Sequence, residues 1–190
     1  KVLKALPQLQ IVADFGERPL AGLSDFPPSR LLFGMLPGGV PLYVLDCPEM
    51  YQRGGGIYLD EHGEDWADNA QRFALFSKIG ALLGSALSPL AWKPELVHCN
   101  DWQSGLVPAY LQYMQAPAPC IMTVHNLAFQ GLFPSSVVPE LGLPWECFKP
   151  DGVEFYGALS FLKAGLFYAE HITTVSPSYA MEIQTEALGF

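Results

Sequence analysis

The second half of the chain alternates short apolar runs with segments of helical spacing, and this alternation restricts the fold more than any other feature. Strands that are apolar throughout and joined by helices are typical of parallel sheets with right-handed crossovers, because helices cover both faces. We therefore predict an α/β fold with a parallel sheet flanked by helices. In chain order, the predicted elements are strand Glu95–Cys99, helix Gln103–Gln115, strand Cys120–Val124, helix Glu154–Glu170, strand Ile172–Val175 and a helix from Ser176 onward.

The first half reads as strands, a loop and one long helix. Ser176 and Pro177 mark the start of the last helix of the chain, since Ser caps free backbone amides and Pro suits the first helical position. No internal repeat or low-complexity linker divides the sequence, so one domain is expected. The first-half elements are strand Leu9–Phe15, a Pro- and Gly-rich loop Arg18–Gly39, strand Val40–Asp46 and helix Trp66–Leu87, whose apolar second half should be buried.

The charge balance excludes two classes of partner. Ten Lys and Arg against 19 Asp and Glu give a net charge of −9, whereas nucleic acids and anionic membranes attract a cationic excess. Residues 102–139 form a run of 38 residues without Asp, Glu, Lys or Arg. Pro108, Pro117 and Pro119 break this run, so no stretch of about 20 unbroken apolar residues could span a membrane. We predict neither a nucleic-acid nor a membrane partner, and nothing at the start resembles a signal peptide.

The cysteines do not have the spacing of a disulfide framework or a metal site. There is no CxxC motif, so free, mostly buried thiols in a reducing compartment are expected. Four residues, His98, Cys99, Asp101 and His125, could gather as ligands, but no second close-spaced pair accompanies them, and we predict no metal. The cysteines are Cys47, Cys99, Cys120 and Cys147.

Two polar clusters follow predicted strands, where doubly wound sheets bind their ligands. The first is residues 98–102, in which Asp101 or Asn100 could instead cap the next helix, Trp102 could simply pack, and His98 could end the strand and bond backbone. The second is His125-Asn126, with Gln130-Gly131 shortly after. Two strongly polar side chains at the end of an apolar strand favour a ligand-binding role. If the strands are neighbours, both clusters project over one edge of the sheet.

Other catalytic motifs are absent. Residues 53–56, Arg-Gly-Gly-Gly, resemble a phosphate-binding loop, but no GK[ST] follows and no helix begins at once. A flexible loop is the better interpretation. The sequence also lacks a GxGxxG fingerprint and a GxSxG nucleophile elbow.

Several motifs in fixed order resemble those of bacterial glycogen synthases and plant starch synthases, which are ADP-glucose-dependent retaining glucosyltransferases. The resemblance covers residues 40–190 and is faint before them. It is carried by HCNDWQSGLVPAYL (His98–Leu111), TVHNLAFQGLFP (Thr123–Pro134), SFLKAGLFYAEHITTVSPSYAMEI (Ser160–Ile183), Asp46-Cys47-Pro48, Arg53–Tyr58 and Trp66–Asn69 with Arg72-Phe73.

The resemblance implies a glycosyltransferase of the GT-B type with two facing Rossmann-like domains. Residues 1–190 would form most of the N-terminal domain, truncated at both ends, without the C-terminal nucleotide-binding domain. The implied reaction moves glucose from ADP-glucose, the donor substrate, to the non-reducing end of an α-1,4-glucan acceptor with retention. No cofactor and no metal are implied, and the 190 residues alone are expected to be inactive.

Site residues follow from the same resemblance. His125 matches the histidine that lies against the transferred glucose, and Asp101 matches the aspartate of the DW motif near the sugar; both are predicted to be catalytic. A carboxylate and a neutral imidazole or carbonyl could orient hydroxyls and favour an oxocarbenium-like transition state. The predicted substrate-binding residues are Tyr58, Trp102, Asn126 and Gln130.

The KTGGL-like loop of the family and the basic pair that holds the donor phosphates are absent from these 190 residues. Two alternatives therefore stay open: a non-catalytic glucan-binding or regulatory module of the same fold, and a related glycosyltransferase that uses UDP-glucose. A bacterial protein would be cytoplasmic, and a plant or algal one would be plastidial. The sequence does not decide the oligomeric state.

Overall fold

The computed structural model describes residues 8–16 and 26–189. The chain divides into two compact units, with the boundary between Arg72 and Phe73. Within the described residues, no helix combines the length and the apolar character needed to cross a membrane. The elements in chain order are β1 (Gln10–Asp14), β2 (Arg30–Leu36), β3 (Val40–Asp46), α1 (Pro48–Tyr51), α2 (Asn69–Leu83), β4 (Val97–Asn100), α3 (Leu106–Gln112), β5 (Cys120–Val124), β6 (Leu132–Pro134), α4 (Val137–Glu140), β7 (Glu154–Phe155), β8 (Ala158–Ser160), α5 (Phe161–Tyr168), β9 (His171–Thr174) and α6 (Pro177–Glu182).

The first unit contains a three-stranded antiparallel sheet in the order β1-β2-β3. Gly38 and Gly39, both with positive φ, form the turn between β2 and β3, a conformation that glycine adopts without steric cost. At the other end of this hairpin, the guanidinium of Arg30 forms an ion pair with Asp46 at 2.6 Å. The predicted strand Val40–Asp46 has the bounds of β3, and Leu9–Phe15 contains β1, so both predictions are confirmed.

The predicted loop Arg18–Gly39 is wrong in its second part, because Arg30–Leu36 is strand β2. Residues 18–25 of that loop lie outside the described residues. The sequence of β2 is RLLFGML. Although this segment is mostly apolar, the prolines and glycines around it favoured the prediction of a loop. Cross-strand packing, including the rings of Phe33 and Tyr43 with centroids 5.2 Å apart, stabilises this strand despite Gly34.

The second unit is built on a parallel sheet in the order β4-β5-β9, which confirms the predicted α/β fold. One face of the sheet is buried along β4 and β5, where Cys99, Met122 and Val124 are at most 3 % exposed, whereas Ile172 of β9, which pairs with Met122, is 56 % exposed. Helix α5 approaches this face closely: a Cβ added to Gly165 would lie 3.0 Å from Met122 Sδ and 3.2 Å from Gly105 Cα. Only glycine fits this position without displacing a neighbour.

Helix α2 confirms the predicted long helix, although it is shorter than Trp66–Leu87 at both ends. Its second half is buried as predicted, since Ile79 and Leu82 are each 3 % exposed. The helix predicted over Gln103–Gln115 begins as a 3-10 turn, Trp102–Ser104, and continues as α3. The predicted strand Cys120–Val124 has the bounds of β5.

The helix predicted over Glu154–Glu170 is wrong in its first half. Residues 154–160 form the β7–β8 hairpin, which pairs with β6 in a small antiparallel sheet of order β6-β8-β7. Tyr156 and Gly157 turn the hairpin with φ of 48° and 84°. The helix begins only at Phe161, where the Ser160 hydroxyl accepts a hydrogen bond from the Lys163 backbone N–H at 3.1 Å. This cap supplies an acceptor for an otherwise unpaired amide.

Candidate functional site

The two predicted polar clusters meet at the carboxyl ends of β4 and β5, which are neighbouring parallel strands. The Asp101 carboxylate accepts a hydrogen bond from the backbone N–H of His125 at 2.8 Å. The same oxygen lies 3.4 Å from the backbone nitrogen of Asn126, in a longer bond. The side chain that ends one strand thus holds the loop that leaves the next. The prediction that both clusters project over one edge of the sheet is confirmed.

Asp101 has an unusual backbone conformation. Its φ is 56° and its ψ is −179°, a region that is essentially restricted to glycine. Asp101 occupies the N-cap position of the 3-10 turn, but its side chain caps no backbone amide there. The Ser104 hydroxyl closes this turn instead, donating to the Asn100 carbonyl at 2.8 Å and accepting from the Asn100 N–H at 2.7 Å. The capping alternative for Asp101 is therefore wrong.

The imidazole of His125 contacts the side chain of Asn100. His125 Nε2 lies 2.9 Å from Asn100 Oδ1. An amide oxygen can only accept a hydrogen bond, so this contact places a proton on Nε2; in the neutral tautomer Nδ1 is then the acceptor. The sequence placed Asn100 in the first polar cluster or as a helix cap, and no local spacing could have revealed this contact across two strands.

The loop that follows His125 is fixed by side chains although its first residues are exposed. Asn126 Oδ1 accepts from the Ala128 N–H at 3.0 Å, and the Tyr179 hydroxyl accepts from the Leu127 N–H at 2.8 Å. Gln130 Nε2 donates to the Leu127 carbonyl at 3.1 Å, and Gln130 Oε1 accepts from the Ser160 hydroxyl at 3.2 Å. The Gln130 side chain therefore closes the loop, in addition to any role in substrate binding. The sequence analysis did not identify Tyr179.

Trp102 lies in an aromatic cluster and is only 9 % exposed. Its ring packs edge-on against Phe73, with centroids 4.6 Å apart, and against Phe161 at 6.1 Å. A Cβ added to Gly131 would lie 2.4 Å from Trp102 Cε3, so this glycine permits the close approach of the loop to the indole. This geometry favours the packing alternative for Trp102.

His98 lies inside β4 rather than at its end. Its Nε2 is 2.6 Å from the Thr123 hydroxyl, which in turn is 2.6 Å from the Thr173 hydroxyl. This polar row crosses all three parallel strands on the face opposite the buried one. The expectation that His98 bonds backbone is wrong, because its ring partner is a side chain.

The four residues considered as possible metal ligands, His98, Cys99, Asp101 and His125, do not gather into one group. Cys99 belongs to the buried face, where its Sγ lies 3.5 Å from that of Cys120. The contact with Cys120 and burial raise the pKa of the Cys99 thiol well above its ordinary value. In residues 8–16 and 26–189, no three His, Cys, Asp or Glu side chains come together as a metal-binding group. All four cysteines are buried and free, as predicted.

Tyr58 belongs to the first unit, in a loop held by polar contacts. Its side chain is 39 % exposed, and its carbonyl accepts from the Trp66 N–H and from Asn69 Nδ2, each at 3.0 Å. The Arg72 guanidinium, whose pKa is lowered by burial and by the nearby Arg53, donates to the Ile57 carbonyl at 2.9 Å. These bonds fix the backbone on both sides of the exposed Tyr58 ring.

The loop at residues 53–56 is not arranged to bind phosphate. Both terminal nitrogens of the Arg53 guanidinium bind the Asp68 carboxylate, at 2.9 and 2.7 Å. The guanidinium also lies over the Trp66 ring, 4.7 Å from its centroid. Because the charge of the Arg53 guanidinium is already paired with Asp68, this side chain stabilises the loop and does not present a free charge to a phosphate.

Comparison with known proteins identifies the family of the chain. The family model for the starch synthase catalytic domain matches residues 8–190. The glycogen synthase of Nitrosomonas eutropha is 59 % identical over 194 residues, which cover all of this chain and 38 % of the relative. The glycogen synthase of Roseobacter denitrificans is 44 % identical over 189 residues, covering 99 % of this chain and 39 % of the relative. The chain thus spans less than two fifths of the length of these relatives.

Among solved structures, the fold is similar to the catalytic domain of starch synthase IV from Arabidopsis thaliana bound to ADP and acarbose. The TM-score is 0.66 at 25 % sequence identity, covering 84 % of this chain and 33 % of that one. The similarity supports the predicted α/β fold class of the GT-B type. Since the family model covers nearly the whole chain, this protein belongs to the starch synthase catalytic domain family.

Proposed function

We propose that the full-length protein is a glycogen or starch synthase that transfers glucose from ADP-glucose to the non-reducing end of an α-1,4-glucan, with retention and without a metal. One observation carries this proposal beyond family membership. The Asp101 carboxylate, in a strained backbone conformation, fixes the loop that presents the exposed side chains of His125 and Asn126. Strain of this kind is found mainly where a functional side chain requires it.

Transfer through an oxocarbenium-like transition state develops positive charge on the sugar. A neutral His125 ring with its proton on Nε2 offers Nδ1 as an acceptor for a sugar hydroxyl, and the loop carbonyls offer further acceptors. The Asp101 carboxylate adds negative charge near the reacting centre while keeping the loop in place. Orientation and electrostatic stabilisation, rather than covalent catalysis, are the contributions we assign to these residues.

The remaining substrate-binding predictions divide according to their geometry. We propose that exposed Asn126 and half-exposed Tyr58 contact the sugar or the glucan directly. We assign Trp102 and Gln130 a supporting role, because Trp102 is packed among aromatic rings and Gln130 bonds its own loop and Ser160.

The donor diphosphate needs cations, and residues 102–139, which contain most of the site edge, carry none. We propose that residues elsewhere in the full-length protein bind the phosphates. The 190-residue chain alone should therefore not incorporate glucose from ADP-glucose into glycogen. Appreciable turnover by this chain would contradict that part of the proposal.

Incorporation of labelled glucose into glycogen by the full-length protein tests the proposal. His125→Ala should lower the rate by at least about 100-fold, by analogy with the loss of one preorganised hydrogen-bond donor in other active sites. Cys99→Ala is the matched control, because the Cys99 side chain lies on the buried face of the sheet, opposite the face that carries His98 and Thr123. Equal, small effects of both substitutions would contradict a catalytic role for His125. Parallel assays with UDP-glucose decide the donor, and glucan binding without transfer from either donor would favour a non-catalytic module.

A further inference from the structure

The backbone amides of residues 125–128, in the loop after β5, donate hydrogen bonds to side chains from three different parts of the second unit. The N–H groups of His125 and Asn126 donate to Asp101, that of Leu127 donates to the Tyr179 hydroxyl, and that of Ala128 donates to Asn126. Asp101 follows β4, whereas Tyr179 lies on α6, 52 residues after Leu127. The loop therefore depends on α6 for one of its bonds.

Helix α6 is tied to the loop by a specific bond rather than by burial. It begins at a Ser176 cap, whose hydroxyl accepts from the Tyr179 backbone N–H at 3.1 Å. None of its residues is buried. Leu127, by contrast, is only 8 % exposed, so its N–H has little access to water, and losing the Tyr179 acceptor would leave a donor poorly satisfied.

We propose that Tyr179 is a positioning residue that acts through the Leu127 amide to hold the His125 loop in the geometry needed for transfer. This inference deepens the proposed function and rests on it. The Tyr179 hydroxyl needs no contact with substrate for this role. Its bond fixes the chain two residues after His125, where a displacement would move the imidazole and the loop carbonyls together.

Tyr179→Phe in the full-length protein removes the hydroxyl and keeps the ring. Tyr156→Phe is the matched control, because the Tyr156 side chain is 92 % exposed at the tip of the β7–β8 hairpin. The first measurement is hydrogen–deuterium exchange of a peptide covering residues 125–129, read by mass spectrometry. We expect exchange in this peptide to accelerate by about 10-fold in Tyr179→Phe, as one protecting acceptor is lost, and to stay unchanged in the control.

The second measurement is steady-state transfer of glucose. Misplacement of an orienting group lowers kcat, so we expect kcat to fall between about 10- and 100-fold in Tyr179→Phe, with little change in KM for glucan. Unchanged exchange would overturn the proposal, and so would faster exchange with an unchanged kcat. Absence of transfer by the unmodified protein would refute the proposed function instead, while the exchange data would still decide whether Tyr179 holds the loop.

Discussion

Asp101 Oδ1 lies 2.8 Å from the backbone nitrogen of His125, and this bond joins the end of β4 to the end of β5. Asp101 makes it from a backbone conformation, φ 56° and ψ −179°, that glycine would adopt more easily. Such a conformation costs roughly 1–3 kcal/mol for a residue with a side chain. At position 101, glycine should therefore favour stability, whereas aspartate should favour function.

Replacing Asp101 by Gly and by Ala separates these preferences. Both variants lose the carboxylate, so both should lose at least about 10-fold in transfer rate. Asp101→Gly removes the backbone strain, whereas Asp101→Ala retains it, so the glycine variant should be more stable than the alanine variant by about 1 kcal/mol or more. Urea unfolding of the two variants under identical conditions measures the difference. Equal stability would show that the backbone at Asp101 is not strained.

The Asn100–His125 contact predicts one imidazole tautomer. In the unmodified protein at a pH where His125 is neutral, the proton should reside on Nε2, facing Asn100 Oδ1. Asn100→Ala removes the acceptor and should yield a mixture of the two tautomers, detected by the ¹⁵N shifts of the ring. Asn126→Ala is a suitable control, because Asn126 Oδ1 accepts from the Ala128 amide instead. The same mixture in both variants would contradict a specific role for Asn100.

The contact between Gly131 and Trp102 predicts a large effect of a single methyl group. A Cβ at Gly131 would lie 2.4 Å from Trp102 Cε3, and φ there is +61°. Overpacking of this kind costs typically about 1–3 kcal/mol, in addition to about 1 kcal/mol for the left-handed backbone.

Gly157→Ala supplies the control for this prediction, because φ is +84° there but nothing lies within 4 Å of the added Cβ. Thermal unfolding should therefore show a larger loss of stability for Gly131→Ala than for Gly157→Ala. Similar losses would indicate that the loop moves away from the indole without cost.

The sequence predicted the sheet and the meeting of Asp101 with His125 for one physical reason. In a parallel sheet, the strand direction places the residue after each strand at the same edge, so polar side chains that end apolar strands are brought together. Strand β5 is short and apolar with polar residues directly after it, and its bounds were predicted without error. A short apolar run followed by polar residues is a local pattern, so a single sequence is enough to recognise it.

The hairpin at residues 154–160 was missed because its residues fit either a helix or a strand. Apolar residues in EFYGALS do not distinguish spacings of two from those of three or four over so short a run. The turn depends on positive φ at both Tyr156 and Gly157. Tyrosine is not typical of the first position of such a turn, where Asn, Asp or Gly is usual.

Tyr179 was missed for a different reason. Its contact with Leu127 joins residues 52 positions apart and requires α6 to be placed beside β9. Nothing in the local pattern of a tyrosine on a short helix indicates that its hydroxyl accepts from a distant loop amide. Contacts of this kind follow from tertiary placement, which hydrophobic spacing does not specify.

The buried thiols predict how stability changes with alkaline pH. Burial raises the pKa of Cys147 from 9.0 to about 11, and burial also raises the pKa values of Cys47 and Tyr110. In the unfolded chain these groups lose their protons at lower pH than in the folded protein. The unfolded state therefore binds fewer protons above about pH 9, and the free energy of unfolding decreases as pH rises.

For Cys147, this contribution is fully present below pH 9 and is lost progressively between pH 9 and about 11. Its size is at most about 3 kcal/mol, from roughly two pH units at 1.4 kcal/mol each. Urea unfolding under reducing conditions at several pH values across this range measures the slope. Cys147→Ala should lower stability at pH 8, because a buried side chain is truncated, yet it should flatten the decline above pH 9. An unchanged slope in this variant would show that the Cys147 thiol does not resist ionisation in the folded state.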